Sequence, residues 1–143
     1  MIVALAALLL GLLSGAMVLI GVALVPFWQS MPPGEFRGWF ARHSTRIGRL
    51  MIPLGASAAV VALVAAAIER TPPRLLAAAG AGTVASITML VNEPANHRFA
   101  SRGNLDDAET TALLARWRRW HWVRIVAGLA GFCGALSALR TGG

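Results

Sequence analysis

Four long apolar runs divide the chain, each bounded by charge, proline or glycine. The first, Ile2 to Phe27, carries no charged side chain. At about 1.5 Å per residue it is long enough to cross a hydrocarbon core of about 30 Å with some tilt. The second, Leu50 to Ile68, is closed by Glu69-Arg70 and the breaker Thr71-Pro72-Pro73. The third, Leu75 to Val91, follows at once, which predicts a tight antiparallel hairpin. The fourth, Ile125 to Leu139, has only fifteen residues, but Trp117, Trp120 and Trp122 precede it, so its helix is expected to begin near Thr110. Ahead of the second run, Phe36, Trp39, Phe40 and His43 fall at i, i+3, i+4 and i+7, one face of a helix. The pattern predicts helices over about 2–27, 36–69, 74–97 and 110–140, with loops at Gln29–Gly34 and Ala100–Glu109. The fold class is all-α: an integral membrane four-helix bundle forming one transmembrane domain over 1–143.

Composition fits a chain whose main partner is the lipid bilayer. Of 143 residues, 57% are hydrophobic, and the formal charge is +7 with arginine as the only strong base. Nucleic-acid binding needs a soluble basic face, whereas these arginines flank apolar runs and read as interface anchors and anion ligands. No nucleic-acid partner is expected. The first run lacks the basic lead of a signal peptide and is expected to be retained, although Ser14-Gly15-Ala16 offers a small-residue site. A single cysteine, Cys133, excludes an internal disulfide and is expected to pack between helices. Small residues crowd the runs, notably Gly128, Gly131 and Gly134, which form one stripe. Helix packing within the chain is the first use for that stripe, and a homo-oligomer seam the second.

Four spans put both termini on one side and both longer connections on the other. Ten of the 13 arginines then fall on the loop side, and only Arg70, Arg74 and Arg140 on the terminal side. The positive-inside rule places the loops in the cytoplasm and the termini outside, in a bacterial-type inner or plasma membrane.

The candidate chemistry sits at the loop-side end. Asn92, Glu93, Pro94, Asn96 and His97 close the third run, and polar groups at membrane depth usually face a bundle interior or a wet cavity. Asn92 and Asn96 are i, i+4, as are Glu93 and His97, giving two adjacent polar stripes. Pro94 is expected to kink or end the helix. The structural use of these residues is capping of a broken helix by the asparagines and pairing of Glu93 with an arginine. The chemical use is a metal site from His43, Glu93, His97 and His121, whose nitrogen and oxygen donors suit copper or iron. On the fourth helix His121 and Arg124 share a face with Trp117 and Ile125. There an imidazole and a guanidinium would serve as general base and oxyanion clamp. Trp122, Arg118 and Arg119 read instead as an interfacial belt.

Asn-x-Pro-x-Asn ending a third membrane helix, followed some twenty residues later by Trp-x3-His-x2-Arg opening a fourth, resembles the anthrone oxygenase-like family of small membrane proteins. Here the motif residues are Asn92, Pro94, Asn96, Trp117, His121 and Arg124. The four-helix layout is similar over nearly the whole chain, and the specific part lies in the second half. The resemblance implies oxygenation of polycyclic phenolic anthrones to anthraquinones. It does not extend to His43 or Glu93. The leading expectation is thus a membrane oxygenase acting on an apolar aromatic small molecule, with His121 as base and Arg124, Asn92 and Asn96 stabilising an enolate. Its cofactor is a redox metal or none. The alternative is a non-catalytic helper subunit or small-ligand binder. A transporter is disfavoured, since no inverted repeat is visible.

Overall fold

The structure, a computed structural model, describes residues 1–101 and 105–141; Arg102, assigned above to the loop side, lies outside them. Four helices account for the architecture: α1 (Ile2–Gln29), α2 (Pro33–Ile68), α3 (Pro72–Ala100) and α4 (Asp107–Thr141). All four are long and apolar enough to cross a membrane. They form a square in which α1 and α3 each pack against both α2 and α4.

Prolines start two of these helices. Pro33 occupies the first turn of α2 and Pro72 and Pro73 that of α3, where a missing N–H costs nothing and a fixed φ favours entry. The breaker Thr71-Pro72-Pro73 therefore both stops α2 and launches α3. For the same reason α2 begins three residues before the expected Phe36. Arg74 fastens the hairpin by donating to the Ala65 carbonyl at 3.3 Å and pairing with Glu69. At the other end α4 opens on a reciprocal cap. Asp106 N–H donates to Glu109 at 2.9 Å, and Glu109 N–H returns to Asp106 at 2.7 Å. Arg37 of α2 reaches Asp107 at 3.0 Å and Thr110 at 2.6 Å, joining the starts of α2 and α4.

Small residues set the α3–α4 spacing. A Cβ on Gly80 would lie 2.5 Å from the Ala127 carbonyl oxygen, and one on Gly134 would lie 2.8 Å from that of Pro73. The glycine stripe of α4 is thus spent within the chain, Gly131 and Gly134 on α3 and Gly128 mainly on Met17 and Ser14 of α1. Cys133 does not share that role: with Gly131 and Gly134 turned inward, it faces out of the bundle and is exposed.

Pro94 neither ends nor sharply breaks α3. The helix widens to a π turn over Thr88–Asn92 and then runs on to Ala100. Glu93 N–H, immediately before the proline, reaches back five residues to the Thr88 carbonyl. A proline ring clashes with the carbonyl four residues earlier, here Leu90, and the wider turn relieves that clash. α1 repeats the device at the same offset: a π turn over Ile20–Leu24, Val25 N–H to the Ile20 carbonyl, then Pro26. Both widened turns lie toward the loop-side end, under an aromatic cluster built from Trp28, Phe36, Phe40, Phe99 and Trp117.

Candidate functional site

α3 and α4 run antiparallel, so side chains one turn apart on each meet as rungs. On α3 the inward stripe is Val84, Thr88, Asn92 and Asn96; on α4 it is Gly128, Arg124, His121 and Trp117. Two polar rungs are closed. Arg124 Nη1 donates to Thr88 Oγ1 at 2.9 Å, and Thr88 donates onward to the Val84 carbonyl at 2.7 Å. One level up, Trp117 Nε1 donates to Asn96 Oδ1 at 2.9 Å, and Asn96 Nδ2 donates to Glu93 Oε1 at 2.9 Å.

Between these rungs lies His121, fully buried at 0% exposure. Its ring stacks on Trp117 with centroids 4.7 Å apart and planes at 16°. Nε2 contacts the Met17 carbonyl of α1 at 2.9 Å, and Nδ1 contacts Arg124 Nη2 at 2.6 Å. A carbonyl only accepts and a guanidinium only donates, so the imidazole is neutral with its proton on Nε2. Gly21 lets α1 approach α4 beside the ring: a Cβ there would stand 2.8 Å from Ile125 Cδ1, while its 3.5 Å to His121 Nε2 would be ordinary contact.

Arg124 is 7% exposed, and among the described residues no carboxylate lies within ion-pair distance of it. Its charge is instead shared among the Thr88 hydroxyl, His121 Nδ1 and the face of Trp117, 5.6 Å from ring centroid to Cζ. Among the described residues Arg124 Nε has no hydrogen-bond partner. Asn92, a turn from both Thr88 and Asn96, is 1% exposed, and among the described residues neither of its amide atoms has a partner. An unpaired buried polar group costs about 1–3 kcal/mol, and such groups are rare enough to require a reason.

The asparagines therefore do not cap α3, and Glu93 pairs with Asn96 rather than with an arginine. The four-residue set of His43, Glu93, His97 and His121 is not assembled. Among the described residues no three histidine, cysteine or carboxylate side chains come together. The cause is helical phase. With Asn92 and Asn96 turned toward α4, the Glu93–His97 stripe points about 100° away, and His97 is exposed. His43 packs on Trp39, ring centroids 4.9 Å apart. Both nitrogens of His121 are already engaged. These residues do not form a ligand set.

A family profile described as anthrone oxygenase matches residues 36–134. The chain belongs to the anthrone oxygenase family. The matched stretch holds Asn92, Asn96, Trp117, His121 and Arg124 and excludes α1, which meets His121 through the backbone carbonyl of Met17. A backbone acceptor places no demand on side-chain identity. No curated protein and no solved structure matches the chain significantly. Within this anthrone oxygenase fold three supports went unseen in the sequence: the Met17 carbonyl, Gly21 and Thr88. Only Thr88 left a trace there, as the lone polar residue one turn before Asn92.

Proposed function

We propose that the protein is a membrane-embedded oxygenase for an apolar, anthrone-like phenolic substrate. The observation that carries this reading is the buried Arg124 guanidinium, in contact with the His121 imidazole and, among the described residues, with no carboxylate within ion-pair distance. A fixed, desolvated cation is suited to an oxyanion that develops during reaction, since it needs little reorganisation. The carbon flanked by the two rings of an anthrone is acidic, and loss of its proton puts negative charge on the ketone oxygen. Arg124 Nε and the Asn92 amide nitrogen supply unpaired donors for that oxygen.

His121 is the base in this reading, with a condition attached. Nδ1 holds the available lone pair, and Arg124 Nη2 occupies it. An enolate oxygen competing for the guanidinium would draw Arg124 away and free Nδ1, so proton removal and charge stabilisation are linked. Dioxygen then adds to the carbanion carbon, and loss of water leaves a carbonyl. One CH₂ and one O₂ become one C=O and one H₂O. Two recesses at this end measure about 130 and 110 Å³, well under the roughly 300 Å³ of a small-molecule pocket. Entry of a tricyclic substrate therefore requires helices to part.

The second reading, a non-catalytic helper subunit, draws on the same ring: an imidazole hydrogen-bonded at both nitrogens is also a sound strut between α1 and α4. Oxygen uptake by the detergent-purified protein with a polycyclic phenol decides between them. Stoichiometric consumption with quinone formation supports the oxygenase; no uptake with any such phenol leaves the helper.

A further inference from the structure

A groove runs between α3 and α4 on the outer surface of the bundle, close to the loop-side end. Its floor is Pro94, Ala95 and Trp117, and its rim carries one arginine from each helix, Arg98 and Arg116. It encloses about 110 Å³, and no carboxylate lines it. Both arginines are exposed, and among the described residues neither side chain makes an ion pair or hydrogen bond. One turn toward the membrane centre the groove continues onto Met89 and Leu90, which are 72% and 76% exposed. Two cations at the level where an apolar helix surface leaves the bilayer, with that surface running directly beneath them, match an amphiphile with an anionic head.

We infer that this groove binds the phosphate of an anionic phospholipid, held between Arg98 and Arg116, with an acyl chain lying along Met89 and Leu90. Basic pockets between membrane helices are known to suit such head groups, and guanidinium forks match phosphate oxygens in pairs. The occupant would rest against Trp117, whose indole also stacks on His121, so the lipid would brace the polar ladder from outside. The inference does not depend on the oxygenase reading.

The test uses the full chain in detergent, with its melting midpoint followed as phosphatidylglycerol or phosphatidylcholine is added. The wild type should be raised by phosphatidylglycerol at concentrations where phosphatidylcholine has little effect. At about 1 kcal/mol per arginine, Arg98→Gln with Arg116→Gln should weaken the apparent affinity roughly thirtyfold. Arg42→Gln with Arg46→Gln, exposed arginines of α2 outside the groove, should leave it unchanged. If the glutamine pair proves unstable, Arg98→Lys with Arg116→Lys keeps the charge and loses the paired geometry, and should still show clear weakening. The inference is overturned by any of three results: equal responses to the two lipids, equal losses in the groove and α2 variants, or a wild-type response reproduced by inorganic phosphate alone.

Discussion

At the scale of single residues, the ladder between α3 and α4 separates side chains that hold structure from those left with unmet polarity. Asn92 belongs to the second group, since both of its amide atoms are buried without partners among the described residues. Asn92→Leu, close in volume, should leave the melting midpoint unchanged or raise it, by an amount reflecting about 1–3 kcal/mol, while oxygen uptake falls to background. Thermal melts and uptake assays on one preparation check both halves; a strongly destabilised leucine variant would mean the amide has a structural partner. His121→Ala and Asn96→Ala should abolish turnover in protein that remains folded by circular dichroism. A general base contributes on the order of 10²- to 10⁴-fold, so the His121 effect should be unmistakable. Loss of thermal stability alone in both variants would instead favour the helper subunit. The inward placing of Trp117, His121 and Arg124 was legible because i, i+4 and i+7 spacing on a helix has one outcome. The proton position on His121 was not, because it depends on a carbonyl 104 residues away.

At the scale of elements, hydropathy located all four helices, and prolines misled at the starts of α2 and α3, which Pro33 and Pro72 open early, and at Pro94, where their steric effect has two remedies. A proline after an apolar run can end a helix or widen it, and Pro94 takes the second course because α3 has packing partners beyond it, Ala95 and Phe99, to bury. The expected metal cluster failed at this scale too. Glu93 and His97 share a stripe, but α3 turns its neighbouring stripe to α4. Helix spacing offers a direct test. Gly80→Ala drives a methyl into the Ala127 carbonyl and should destabilise by about 1–3 kcal/mol, as overpacking does. Gly15→Ala, with nothing within 4 Å of its Cβ, should be neutral or stabilise by about 0.5–1 kcal/mol. Chemical or thermal unfolding in a common detergent compares them; equal effects would show that the α3–α4 contact does not limit stability.

At the scale of the whole molecule, the square of helices gathers the candidate chemistry and most of the arginines at one end. By the positive-inside rule the arginine imbalance predicts loops in the cytoplasm and termini outside. A periplasmic-type phosphatase fused after Gly143 should therefore be active, and a fluorescent protein fused there dark. The reverse pair of results would assign the arginine excess to ligand and lipid contacts rather than to topology.

The paired π turns carry a consequence for how the bundle tolerates change in length. Each behaves as one residue inserted into a continuous helix, absorbed without a break. Removing one residue from Thr88–Asn92 would let the hydrogen-bond ladder close at normal pitch and leave everything beyond it on its present bearing, whereas one further residue that α3 did not absorb would swing it by about 100°. After such an addition Asn96 would leave Trp117, and the Glu93–His97 stripe would be carried to a different bearing. The site is thus fixed by a count of residues as much as by their identities: a homologue one residue shorter in this turn would keep the same wall toward α4 on a regular helix, and one with an extra residue left unabsorbed would present a differently composed wall.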